Sequence, residues 1–346
     1  MAETINKPAW MQWVETLMGG VSRQTVTATL PPDRFHCLLD ELPLHLIPLP
    51  ARELLRFRDE RPLFLTPDCI VCAEGDLPEE LEPHKQLLSG FALQGTIAWV
   101  RNPISKNLLP FWLGPRTESC LAGIKPDDPS PVGLPQKMRA VLSAAGILVS
   151  TEHEPSRHRK WQRMVEQSSS LFRQKGYAPL SDLIHPFHIA ALRRYYRHLI
   201  RTGAIHLGDG QSARRYVAYN EPVARFFHRQ IAAALSAVAG EPLTPSYVYM
   251  ASYLSGAELK KHTDRPQCEF SVTFCLDFSP EPAFATPWPI QLDTPSGTVS
   301  VYQSLGDGLA YRGTRLPHYR GVLGEGQTST SIFFHYVPAD FKGSLD

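Results

Sequence analysis

The chain has 346 residues, 43% of them hydrophobic, with 35 Lys and Arg against 34 Asp and Glu and a formal charge of +1. That length buries one large core or two smaller ones, and the balanced charge shows neither the basic surplus of a nucleic-acid binder nor an acidic tail. No apolar run approaches the ~20 residues that span a bilayer, the first twenty residues lack the basic-then-apolar pattern of a secretion signal, and six cysteines in so long a chain make no disulfide framework, so a reducing cytoplasm is the expected compartment.

Residues 1–152 read as short alternating elements, a small α+β domain. MQWVETLMGG and PDRFHCLLDEL have helical apolar spacing, the second with Asp33 as a candidate cap. A strand is expected at 63–73, a helix around HKQLLSGFAL, a strand at 96–101, and a helix at 135–146 closed by Gly146. The Pro-rich stretch IKPDDPSPVGLP between the last two is loop by composition. Cys69 and Cys72 form a CxxC, but it lies inside a strand pattern with no second CxxC or close His pair, so core thiols are expected rather than a zinc or redox site. This order of elements weakly resembles a winged-helix-like, peptide-binding domain; the alternative is a plain α+β extension.

Residues 153–176 are polar and charged, the pattern of an exposed helix or linker. His153 and His158 are five apart and share no helical face. Two longer helices follow, at 185–203 and 221–240, each with apolar residues at three- and four-residue steps and a terminal Gly. His185, His188, His198 and His228 lie on them without a partner at ligand spacing and are expected to be surface or packing residues.

From Ser246 the pattern switches to period two: YVYMASYL, AELKKH, CEFSVTFCLDF, PWPIQLDT, TVSVYQS, GLAYRG, HYRGVL and TSTSIFFHYV, divided by Gly, Pro, Asp and Ser. Two helices ahead of some eight antiparallel strands predict a double-stranded β-helix, or jelly-roll, over 177–346. His262 and Asp264 share parity at one strand end, so both side chains face the mouth of the barrel. A second His from a distant strand completes a facial triad, and His318 is the candidate; two imidazoles and one carboxylate leave coordination positions open and suit Fe(II).

Over about residues 180–340 the chain resembles the 2-oxoglutarate/Fe(II)-dependent dioxygenase superfamily, on its prolyl-4-hydroxylase-like branch. The motif is YLSGAELKKHTD, in which Tyr253, Gly256, His262 and Asp264 stand at the spacing of that branch, with His318 downstream. The resemblance implies Fe(II) on His262, Asp264 and His318, 2-oxoglutarate facing Tyr253, and O2. It implies hydroxylation of an unactivated C–H, in a peptide, a protein or a free amino acid. It does not cover the first 150 residues.

One departure matters. The family's usual Arg or Lys for the far carboxylate of 2-oxoglutarate falls here on Thr328, and a buried carboxylate needs a partner. A hairpin around Gly324 would set Arg320 opposite Thr328, making Arg320 the expected clamp, with Thr328 as an added donor and Arg312 as second choice. Around the site, Arg265 and Glu269 either meet substrate or form surface ion pairs. Gln267 shares the inward parity of His262 and Asp264, and Cys268 and Cys275 then face elsewhere. Two other readings stay open: an iron enzyme of this fold with different oxidative chemistry or a small-metabolite substrate, and a non-catalytic jelly-roll binding module.

Overall fold

The structure is a computed structural model and describes residues 30–56, 61–102, 105–150 and 153–346; the helix expected at MQWVETLMGG lies outside them. The strands of the N-terminal part are Phe64–Leu65 (β1), Cys69–Cys72 (β2), Thr96–Arg101 (β3), Leu108–Leu113 (β4) and Leu148–Val149 (β5). β2, β3 and β4 form an antiparallel sheet, and β1 pairs with β5. Helices Pro115–Leu121 (α1) and Gln136–Ala144 (α2) lie between β4 and β5, and Gly146, at φ 77°, turns the chain out of α2. Cys69 and Cys72 are buried at the two ends of β2, and burial pushes the Cys69 thiol up to about 12, as suits a core thiol.

Three local expectations are corrected. PDRFHCLLDEL is not a helix: Phe35 bridges to Phe91, Leu38 bridges to Trp112, and only Leu39–Glu41 turns, as a 3-10 helix. Its apolar residues enter the core from an extended segment, and the cap it supplies is Asp40, whose carboxylate accepts from the Arg116 and Thr117 amides at the start of α1. The strand expected at 63–73 breaks at a Thr66–Asp68 turn, where the Cys69 amide donates to the Thr66 carbonyl. HKQLLSGFAL ends a kinked 3-10 segment, Glu82–Leu88, rather than forming an α-helix. β4 was hidden by Pro110, which sits on the edge of the sheet, where a missing amide costs nothing.

The polar stretch is a helix, His153–Lys175 (α3), which is seated through the buried Phe172, Ser168 and Ser169. Then come Tyr177–Leu180 (β6), Pro186–Arg201 (α4), His206–Leu207 (β7), Arg215–Tyr219 (β8) and Pro222–Ala239 (α5). Both long helices start with Pro at the first position behind a side-chain cap: the His185 Nδ1 accepts from the Phe187 amide, and the Glu221 carboxylate accepts from Val223 and Ala224. Gly240, left-handed at φ 79°, ends α5.

All eight expected C-terminal strands form: Leu243–Tyr253 (β9), Leu259–His262 (β10), Phe270–Ser279 (β11), Ile290–Thr294 (β12), Gly297–Val301 (β13), Gly308–Tyr311 (β14), His318–Arg320 (β15) and Thr328–Pro338 (β16). They divide into a larger sheet, β6-β14-β11-β16-β9-β8-β7, and a smaller one, β10-β15-β12-β13, the two walls of a jelly-roll. The expected hairpin around Gly324 does not exist. β15 lies between β10 and β12 in the smaller sheet, while β16 lies between β11 and β9 in the larger one, so Thr328 faces Ser279 and Arg320 faces Leu259. The segment between them crosses from wall to wall, tied by paired hydrogen bonds of Leu323 with Gly256 and Ala257.

α4 and α5 cover the larger sheet. Arg193, buried on α4, bonds Asp277 at 2.8 Å, Glu281 at 2.9 Å and the Leu46 carbonyl at 2.6 Å. Of the histidines on these helices, His188 and His228 are buried: His188 bonds the Pro110 carbonyl at 2.8 Å, and His228 bonds the His335 carbonyl at 2.7 Å, while His185 and His198 are half-buried. One buried cluster runs unbroken from Phe35 to Tyr336. At its centre Phe35 meets Tyr195 at 6.1 Å and Phe227 at 5.7 Å, and Phe91 meets Phe226 at 4.9 Å. Among the described residues no helix is long and apolar enough to cross a membrane.

Candidate active site

The site is built where β10 ends and β15 begins. Their register pairs His262 with His318, so two imidazoles come side by side with ring centroids 4.4 Å apart. Asp264 lies just past the end of β10, held there by its amide, which donates to the Gly313 carbonyl at 2.9 Å. Its Oδ1 is 3.7 Å from Nε2 of His262 and 3.5 Å from Nε2 of His318. The three ligand atoms lie within 4.8 Å of one another, the grouping expected from the sequence.

The tautomers follow from the second nitrogens. Nδ1 of His262 is 2.7 Å from the Lys260 carbonyl, and Nδ1 of His318 is 3.0 Å from the Leu316 carbonyl. A carbonyl only accepts, so both Nδ1 atoms carry hydrogen and both Nε2 lone pairs face Asp264. Burial and the neighbouring His318 lower the His262 pKa, which favours the neutral ligating form. Burial works to raise the Asp264 pKa, and the Ser271 hydroxyl that donates to it works to lower it. Ser271 donates to Asp264 Oδ2 at 2.8 Å and contacts Nδ1 of His335 at 2.9 Å, fixing the carboxylate from behind. Gly313 leaves the carboxylate its place, since a Cβ there would stand 2.2 Å from Asp264 Oδ2. Asp264 also groups with Cys268 and His335. That set is the poorer metal site, because burial pushes the Cys268 thiol up to about 12 and a thiol must ionise to ligate.

Two residues past His318 on the same strand, Arg320 points into the barrel. It is 4% exposed, donates to the Trp288 carbonyl at 2.5 Å and to Gln303 Oε1 at 3.2 Å, and lies 4.8 Å from the Trp288 ring. Its Nε has no partner, burial lowers its pKa, and no carboxylate is within ion-pair distance of it among the described residues. A buried guanidinium in that condition lacks a counter-charge. Tyr253 is 1% exposed, and its phenol feels the charge of Arg320. The other expected anchors are not there. Thr328 shares the parity of Thr330, which bonds Ser252 on the outer side of the sheet. Arg312 pairs with Glu269 at 3.6 Å and stacks on Phe270 at 4.8 Å.

A cavity of about 390 Å³ opens over the triad, with Tyr253 and Arg215 on one wall and Arg265 at the rim. Arg265 lies 4.5 Å from the Tyr247 ring and donates to its hydroxyl at 3.1 Å. Glu269 takes the ion-pair alternative, with Arg312 and Arg315. Gln267 does not line the cavity, because Pro266–Cys268 is a 3-10 turn and strand parity does not apply to it. Cys275 faces inward after all, in one buried cluster with Tyr253 and Trp288. Sequence reasoning missed Arg215, Asp209 and Tyr249, which form one bonded group on the cavity wall. The period-two stretch RYVAY, which is β8, was the available signal.

The donor set fits Fe(II), with the 2-oxoglutarate and O2 that accompany it: two neutral imidazoles and a carboxylate on one side, an open cavity on the other, and a buried cation deeper in. No protein-family model and no curated protein matches the chain. Among solved structures it is similar to the non-haem α-ketoglutarate-dependent carbocyclase SnoK from nogalamycin biosynthesis, at 12% identity over 52% of this chain and 86% of that one (TM-score 0.44). It is similar to AviO1 from Streptomyces viridochromogenes Tue57, at 18% over 52% and 97% (TM-score 0.43). A Pseudomonas putida prolyl-4-hydroxylase aligns at 16% over 50% and 99% (TM-score 0.40). Over about half its length, then, the chain is similar to 2-oxoglutarate/Fe(II)-dependent oxygenases, a prolyl-4-hydroxylase among them.

Proposed function

We propose that the protein is an Fe(II)- and 2-oxoglutarate-dependent dioxygenase that hydroxylates an unactivated C–H of an amino-acid side chain in a peptide or protein. The observation that carries this reading is the pairing of two sites on one short strand: His318 opens β15 as a metal ligand, and Arg320 closes it as a buried cation without a counter-charge. Charge supports it further. Fe(II) with Asp264 leaves one positive charge, Arg320 adds a second, and Asp209 cancels Arg215 at 2.5 Å. The site is thus net positive, as a dicarboxylate dianion requires.

In this reading His262, Asp264 and His318 hold the metal, and Arg320 with Tyr253 holds the far carboxylate of the cosubstrate. With O2, the iron and 2-oxoglutarate supply the two-electron oxidation of a C–H bond, releasing succinate and CO2. Ser271 keeps the Asp264 carboxylate turned to the imidazoles, and the Lys260 and Leu316 carbonyls keep both Nε2 atoms free of hydrogen. A cavity of about 390 Å³ takes the cosubstrate and one side chain, so a polypeptide lies across its mouth, beside Arg265. Residues 177–346 form the oxygenase unit in this reading, residues 1–152 the smaller α+β unit that helps to present the polypeptide, and the polar helix joins them.

The test is an anaerobic visible spectrum of the apo-protein with Fe(II), before and after 2-oxoglutarate is added. A new charge-transfer band, absent from His262→Ala, is expected. Iron bound without any such band would overturn the cosubstrate.

A further inference from the structure

Arg215 is a second buried arginine on the cavity wall, 3% exposed, and its chemistry differs from that of Arg320. Its Nε and Nη2 bond Asp209 Oδ2 at 3.0 and 2.5 Å, Nη2 also reaches Gln211 Oε1 at 2.6 Å, and Nη1 donates to the Tyr253 hydroxyl at 3.0 Å. Asp209 is just as fully used. Its Oδ1 accepts from the Gln211 and Ser212 amides at 3.0 and 2.9 Å, and its Oδ2 also accepts from the Tyr249 hydroxyl. Asp209 has no acceptor to spare, Arg215 keeps a single Nη1 N–H beyond these four bonds, and their charges cancel.

The Tyr253 hydroxyl extends the group toward the cavity that both residues line. A phenol oxygen that accepts from Arg215 still has its own proton to donate. Its cationic neighbours, Arg215 and Arg320, are guanidiniums, which cannot accept it, and the nearby Asp209 carboxylate is already taken up by Arg215, Tyr249 and two amides. The proton is left for an acceptor in the cavity that Tyr253 lines.

We propose that Arg215 is a positioning residue: by donating to the Tyr253 oxygen it turns the Tyr253 proton toward the carboxylate that Arg320 binds, while Asp209 cancels its charge so that Arg320 alone receives the anion. The cosubstrate would then be held by one guanidinium and one oriented phenol, and the turn that carries Asp209 becomes part of the cosubstrate site. This inference rests on the proposed 2-oxoglutarate chemistry. The plainer role for the Arg215–Asp209 pair is to close the β7–β8 hairpin and nothing more.

A double-mutant cycle separates the two roles. The dissociation constant of 2-oxoglutarate would be measured by calorimetry, without turnover, on Mn(II)-loaded wild type, Arg215→Lys, Tyr253→Phe and the double variant. Tyr253→Phe is expected to weaken binding about tenfold, the low end for a hydrogen bond to a charged group. Arg215→Lys keeps a charge opposite Asp209, loses the fork, and is expected to cost several-fold; the double variant should bind no worse than Tyr253→Phe alone. Losses that multiply, or an Arg215→Lys protein that binds like wild type, would overturn the inference. Should Arg215→Lys fail to fold, Arg215→Gln takes its place in the cycle. A wild type that binds Mn(II) but no 2-oxoglutarate would instead overturn the proposed function, so the two failures are distinct.

Discussion

Arg320→Met is the perturbation that most sharply divides function from stability. In the native chain the guanidinium is 4% exposed, with two hydrogen-bond acceptors, a stacked indole and, among the described residues, no carboxylate at ion-pair distance. Taking an ion out of water costs several kcal/mol after relaxation, and exchanging a buried ion for an apolar side chain of similar volume is neutral or stabilising by about 1–4 kcal/mol. Against that gain, the Trp288 carbonyl and Gln303 Oε1 lose their donor, at about 1–3 kcal/mol each. The two effects nearly cancel, so the ligand-free variant should unfold within about 2 kcal/mol of wild type. Binding has no such compensation. Two charge-assisted bonds to a carboxylate are worth at least about 3 kcal/mol, roughly a hundredfold or more in the dissociation constant. Anaerobic titration of the Fe(II) protein with 2-oxoglutarate reads the second quantity, and urea unfolding of the apo-protein reads the first. A dissociation constant within threefold of wild type would refute the assignment of Arg320, whatever the stability did.

Two further outcomes are expected. Gly313→Ala alters no ligand, yet its new Cβ would stand 2.2 Å from Asp264 Oδ2 and 2.5 Å from the Cys268 carbonyl. The carboxylate must move, and Fe(II) affinity measured by calorimetry should fall by about tenfold or more; unchanged affinity would mean that the loop yields instead. For acid stability, burial lowers the pKa of His188 from 6.5 to about 4 and that of His228 from 6.5 to about 3. Below pH 6.5 the unfolded chain takes up protons that the folded one refuses. Stability is therefore undiminished above that pH and falls by about 1.4 kcal/mol per unit for each histidine as pH drops toward 4. Urea midpoints measured from pH 7 to 5 should show this slope, and His188→Gln should reduce it by one proton's worth; an unchanged slope would refute the burial argument.

The C-terminal half was legible because its signals are local and repeated. Period-two alternation marked all eight strands, and the parity of His262 and Asp264 set the direction of the triad before any pairing was known. What stayed hidden was non-local. Arg320 was rightly turned inward, but on the wrong partner strand: the Gly-rich stretch after it reads as a hairpin, and only the pairing of β15 with β10 and β12 shows that it crosses between sheets. Arg215 and Asp209 carry no motif; their meaning lies in the phenol of Tyr253, 38 residues away from Arg215. In the N-terminal part, Phe35 and Leu38 have helical spacing because they face a core on several sides, and the bridges to Phe91 and Trp112 outweigh local propensity.

The aromatic junction around Phe35 bears on how the molecule melts. Its rings come from Phe35 and Phe91 on one side and from Tyr195, Phe226 and Phe227 of the sheet-covering helices on the other. Removing the early residues would bare the apolar faces of α4 and α5, and with them the Arg193 ties from the Leu46 carbonyl to Asp277 on β11. The jelly-roll half cut free would lose its cover and become sticky. The two halves share one buried core, so loosening the early segment should loosen the backing of the strand that carries Ser271 behind Asp264.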